Sequence, residues 1–72
     1  MADHWSDQLR RARKAAGDTQ GDVVRKLGVS VNTLRTWEQG LIQRPSRENE
    51  KAVEKYVQRH LGEQIEWEAE HE

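Results

Sequence analysis

The chain has 72 residues, 33% of them hydrophobic and 35% charged, with a net charge of −1 and no cysteine. That length holds one domain, and a domain this small buries only about 60% of the surface of its unfolded chain, so its core must be economical. Without cysteine there are no disulfide staples and no cysteine-based zinc sites, and no apolar run approaches the ~18 residues of a membrane span.

Hydrophobic content lies below the roughly 45–50% usual for globular chains, so the case for folding rests on pattern. Residues 1–5 lack the basic and apolar regions of a signal peptide, which predicts a soluble, cytoplasmic protein, nucleoid-associated if bacterial. His4, His60 and His71 are scattered without metal-ligand spacing and read as surface residues. Neither a metal nor any other cofactor is expected. The charge is polarised: residues 1–47 carry +4 and residues 48–72 carry −5. Such asymmetry suggests a basic working face and an acidic end turned away from it.

The first predicted helix covers 6–16, with Ser6 as its N-cap and Asp7 in the first turn. Leu9, Ala12, Arg13 and Ala16 share one face at i, i+3, i+4, i+7 spacing, and Gly17 suits the left-handed position after the last turn. Trp5 either lids the core from this helix or stays exposed. Arg10, Arg11 and Lys14 read as its solvated face. The second helix covers 20–27, capped by Asp18 or Thr19, with Val23, Val24 and Leu27 as its apolar stripe. Gly21 in its first turn is a poor helix former. The third covers 31–39 behind the N-cap Ser30. Leu34 and Trp37 face inward, and Asn32, Thr33, Arg35 and Thr36 face out. After the loop 41–45, Ser46 caps a fourth helix over 47–61. Its stripe of Ala52, Val53, Tyr56, Val57 and Leu61 is the strongest helical signal in the chain. No segment alternates with period two. The expectation is therefore an all-α, compact four- to five-helix bundle, with a domain over 1–62 and an acidic tail or short fifth helix over 63–72.

The informative stretch runs from Thr19 to Gly40. It reads helix, a turn of Gly28-Val29-Ser30, helix, then a glycine stop, which is the layout of a helix-turn-helix. Leu9, Arg13, Gly17, Thr19-Gln20, Leu27-Gly28-Val29-Ser30, Trp37-Glu38, Gly40 and Pro45-Ser46 follow in order and spacing. With this set the chain resembles the phage repressors, Cro proteins and their bacterial relatives, the XRE family, over about residues 7–61. The resemblance implies a lambda-repressor-like DNA-binding domain. Val31, Asn32, Thr33, Arg35 and Thr36 would read bases, and Gln20, Gln43, Arg44 and Arg47 would meet phosphates. Arg13 and Glu38 would join helix 1 to the end of helix 3. Asp18 stands where that family has an apolar residue. Val24 replaces an alanine, so its extra methyls either part helices 2 and 3 or are absorbed by Ala12 and Ala16.

Residue chemistry agrees with these roles. Asparagine is suited to adenine N6/N7, arginine to guanine O6/N7, and valine or threonine methyls to the thymine methyl. Gln20, Arg44, Arg47 and the N–H groups at helix starts suit phosphates, which set register without reading sequence. The expected partner is double-stranded DNA, bound through the major groove by a transcriptional regulator of repressor or Cro type. No membrane and no small-molecule ligand is expected. The alternative is a protein-interaction module, such as an antitoxin or coactivator, that uses the fold as a scaffold. An enzyme is the remote third choice, for want of a cysteine nucleophile, a metal cluster or room for a pocket. For the tail, three roles stand open: solvated disorder, a homodimer through Leu61, Ile65 and Trp67 in the C-terminal region, or docking of a protein partner.

Overall fold

A computed structural model describes residues 4–67 and places in them the helices α1 (Trp5–Ala16), α2 (Gln20–Leu27), α3 (Val31–Glu38) and α4 (Arg47–Leu61). No strand occurs among the described residues. The fold is all-α.

Each helix begins and ends for a local reason. α1 starts one residue earlier than the sequence suggests, because His4 and not Ser6 is its cap. His4 Nδ1 accepts from the Ser6 backbone N–H at 3.2 Å. Ser6 is thereby drawn into the helix and is buried. α2 opens with a reciprocal capping box: Thr19 Oγ1 accepts from Asp22 N at 3.1 Å, and Asp22 Oδ2 accepts from Thr19 N at 3.0 Å. α3 ends at Glu38, with Gln39 as its C-cap, and α4 ends at Leu61, with Gly62 as its C-cap. Ser46 stands at the N-cap of α4, but its side chain makes no capping bond. Instead its carbonyl accepts from Asn49 N and Glu50 N at 2.9 and 2.8 Å.

The longest helix, α4, packs most extensively on α1, and α2 and α3 close over the pair. Leu9, Ala12, Val23, Leu34, Val53 and Val57 are wholly buried. Val23 takes the interior position of α2, while Val24 lies half-buried on the flank of the core. Trp5 resolves as core. It is 4% exposed, edge-on to Trp37 at 5.7 Å, and within 5.6 Å of Trp67.

Asp18 does not join the apolar core, and the structure uses its charge instead. Its Oδ2 accepts from Tyr56 Oη at 2.7 Å and from Lys26 Nζ at 2.9 Å, tying the α1–α2 junction to α4 and to the last turn of α2. The bond from Lys26, then that from Tyr56, holds the Asp18 carboxyl below the ordinary aspartate range. Burial, and then the Asp18 carboxylate, push the Tyr56 hydroxyl well above its ordinary value.

No fifth helix forms over 62–67. This stretch folds back on the bundle as a strap, and residues 68–72 and His71 lie outside the described residues. Glu63 pairs with Arg11 at 3.2 Å, and Gln8 Nε2 donates to Glu63 Oε1 and the Gln64 carbonyl, each at 3.2 Å. Ile65 is buried, and Trp67 donates its indole N–H to Glu54. Leu61, Ile65 and Trp67, which the sequence offers to a dimer, thus all pack against the chain's own core. Among the described residues no buried side-chain nitrogen or oxygen lacks a partner.

Two predictions follow from these details. Asp18, Asp7, Asp22 and Glu63 all have lowered values, from hydrogen bonds to Lys26, to Arg10, to the Thr19 backbone and to Arg11 respectively. A carboxylate with a lowered folded-state value contributes fully above its unfolded value, about 4, and loses that contribution as the pH falls through the folded one. The urea midpoint should therefore drop between pH 5 and pH 2, as about expected for acid-sensitive carboxylates, and Asp18→Asn should flatten the drop. A flat wild-type profile would contradict the assignment. Second, a Cβ at Gly21 would meet nothing nearer than 3.7 Å. Gly21→Ala should raise stability by about 0.4–1 kcal/mol in urea denaturation.

Candidate nucleic-acid interface

The turn between α2 and α3 is built on Gly28. Its φ of 75° is left-handed backbone, which glycine adopts without strain. Its N–H and that of Val29 both donate to the Val24 carbonyl, at 2.8 and 3.2 Å, closing α2 while the chain reverses. Val29 is half-buried against the core, and Ser30 then starts α3. Ser30 Oγ accepts from Thr33 N at 3.1 Å and donates to Thr33 Oγ1 at 2.9 Å.

The two sides of α3 differ sharply. Leu34 and Trp37 are 0% and 2% exposed and fix the helix to the core. On the other side Val31, Asn32 and Arg35 are exposed, with Thr33 and Thr36 half-buried between them. Thr36 Oγ1 donates to the Asn32 carbonyl at 2.9 Å. Both threonine hydroxyls thus have a partner inside the domain, Thr33 as acceptor and Thr36 as donor. The Asn32 amide and the Arg35 guanidinium make no hydrogen bond or ion pair among the described residues. The five residues singled out from the sequence thus lie on the side of α3 away from Leu34 and Trp37.

The end of α3 is held by a single carboxylate. Glu38, 7% exposed, takes a two-pronged pair from Arg13, with Nε to Oε2 at 2.8 Å and Nη2 to Oε1 at 3.2 Å. Gln20 Nε2 donates to the same Oε1 at 3.1 Å. Arg10 Nη1 reaches the Glu38 carbonyl at 3.3 Å. One residue of α3 is thereby tied to α1 twice and to the first residue of α2. An amide nitrogen carries two hydrogens, so Gln20 retains one donor after bonding Glu38.

The four residues expected at phosphates divide into two pairs. Gln43 and Arg47 are exposed, at the loop and at the first turn of α4. The Gln43 carbonyl accepts from Trp5 Nε1 at 2.8 Å, which pins the loop to α1. Gln20 and Arg44 are instead engaged internally. Arg44 is bonded to Glu50 and lies 5.4 Å from the Trp67 ring, with 26% of its side chain exposed. Sequence reading missed both of these neighbours. They come from α4 and from the strap, and no helical spacing relates them to position 44. It also passed over Leu41, which at 73% exposure is, among the described residues, the most exposed large apolar side chain and stands three residues beyond the end of α3. Arg10 and Arg11, read as a solvated face, are partnered by Asp7 and Glu63, while Lys14 is exposed.

Two helices joined by a three-residue turn, the second buried on one side and polar on the other, define a helix-turn-helix domain. The chain belongs to that family: the helix-turn-helix domain model matches residues 6–64. No curated protein and no solved structure matches the chain. No helix of the described residues is long and apolar enough to cross a membrane.

The Glu38 node sets a stability prediction. Glu38→Ala leaves the largely buried Arg13 without its partner and should cost about 2–3 kcal/mol in urea denaturation. Replacing both partners with apolar residues, Arg13→Met with Glu38→Leu, should recover most of that loss, because no uncompensated charge remains. A double variant as unstable as Glu38→Ala would show that the pair is needed for more than charge compensation.

Proposed function

We propose that the protein is a sequence-specific regulator of transcription that occupies an operator in double-stranded DNA, in the manner of the phage repressors and Cro proteins of the XRE family. The observation that carries this reading is the outer surface of α3. Asn32 and Arg35 are exposed and uncommitted among the described residues, on a helix locked to the core by Leu34 and Trp37. In the major groove these two groups have the donor and acceptor geometry to read adenine and guanine, and the methyls of Val31, Thr33 and Thr36 suit thymine. Backbone N–H groups at the start of α2, the remaining Gln20 donor, Gln43 and Arg47 suit phosphates. Arg44 reaches a phosphate by exchanging its Glu50 carboxylate for the phosphate oxygen.

The protein-interaction alternative would be favoured by an apolar patch on α3. Large exposed apolar side chains among the described residues are Val31 and Leu41 alone, too little for an apolar docking face.

The test is titration of the protein against random duplex pools at several salt concentrations. One sequence should be selected, with affinity falling steeply as salt rises. Failure to bind any duplex more tightly than roughly 10⁻⁴ M, the weak end of non-specific affinity, would end the proposal. Asn32→Ala should lose about 1–3 kcal/mol of discrimination at one base pair. Arg47→Ala should weaken binding to all duplexes alike and lower the salt slope by about one. An unchanged specificity profile for Asn32→Ala would remove that residue from the reading set.

A further inference from the structure

On α4 Glu50 and Glu54 share one side, while Glu48, exposed in the first turn, stands on the other, three residues before Lys51 and outside the lining of the groove between α2 and α4. Glu50 and Glu54 are bonded to Arg44 and to the Trp67 indole. Lys51, Lys55 and Arg59 follow one another at i, i+4, i+8, all exposed, and pair with no carboxylate among the described residues. Like charges four residues apart on a helix repel each other. Nothing in the packing of the bundle calls for this stripe. The three cations border a concavity of about 570 Å³ between α2 and α4, to which Leu27, Ala52 and the Tyr56 ring contribute apolar lining. No residue of α3 lines it, so it is separate from the proposed reading surface.

We propose that this groove docks a short acidic segment of a partner protein, one that carries apolar residues between its carboxylates. Successive cations on α4 lie about 6 Å apart along the helix axis. Every second residue of an extended chain advances about 6.6 Å and turns to the same side. Glutamates or aspartates at alternate positions therefore meet Lys51, Lys55 and Arg59 in turn. The side chains between them turn to the opposite wall, where Leu27 stands. The apolar lining is what favours a peptide over a nucleic-acid backbone. Phosphates are taken by exposed cations and backbone N–H groups and gain nothing from an apolar surface.

The experiment uses the full chain and a fluorescein-labelled seven-residue peptide, with glutamate at alternate positions and leucine at two of those between, followed by fluorescence anisotropy. The peptide should bind, more weakly as salt rises. The double variant Lys55→Glu, Arg59→Glu should bind it at least tenfold more weakly, and so should a peptide with glutamine in place of glutamate bind the unaltered chain. Lys14→Glu, which removes an exposed cation from α1, should leave binding unchanged, and circular dichroism should show all variants equally helical. Equal binding of the glutamine peptide, or undiminished affinity in the double variant, would overturn the proposal. So would peptide binding only after truncation at Trp67, which would identify the chain's own acidic end as the occupant. If the peptide fails to bind while the double variant loses affinity for DNA, the stripe is a phosphate surface and the proposal falls, with the DNA reading left intact.

Discussion

The orientation of α3 depends on the carboxylate of Glu38. α3 has only eight residues, too few to hold a helix by its own hydrogen bonds in water. Leu34 and Trp37 attach its inner side to the core. The bonds from Arg13, Gln20 and Arg10 fix its C-terminal end from two directions, and the Ser30 cap fixes its other end. The guanidinium contributes little exposed charge of its own, since its partner neutralises it. Its contribution is directional: a two-pronged pair restrains rotation as well as distance.

Much of this fold was legible in sequence, for physical reasons that apply residue by residue. Gly17 adopts the left-handed backbone expected of a helix end, with φ of 73°, and Gly28 and Gly62 do the same at 75° and 68°. The apolar periodicity placed Leu9, Val23, Leu34, Val53 and Val57 inside, and they are. Caps were less legible. His4 is not among the strong N-cap residue types, and only its ring geometry reveals the role. Asp18 looked like a polar intruder because its partners, Lys26 and Tyr56, lie 8 and 38 residues away.

The tail illustrates the limit most clearly. Its glutamates suggested solvation, and its Ile65 and Trp67 suggested another helix or another chain. Over residues 62–67 the structure buries Ile65 and pairs Glu63 with Arg11 in an irregular strap, which has no sequence period to detect. The candidate interface follows the same pattern. The exposed positions of α3 follow from helical spacing around Leu34 and Trp37. The state of Arg44 depends on Glu50 and on a ring from the end of the chain, and spacing says nothing about either.

That strap completes a cluster of the chain's three tryptophans. Trp5 sits between Trp37 and Trp67, with centroid distances of 5.7 and 5.6 Å. Trp5 also holds the Gln43 carbonyl, Trp67 lies beside Arg44, and Trp37 is one residue from Glu38. Indoles this close share excitation and couple their electronic transitions. The protein therefore carries its own optical gauge, since near-ultraviolet dichroism and intrinsic emission both originate where α1, α3, the loop after α3 and the strap converge. A disturbance of any one of these four changes the same spectrum.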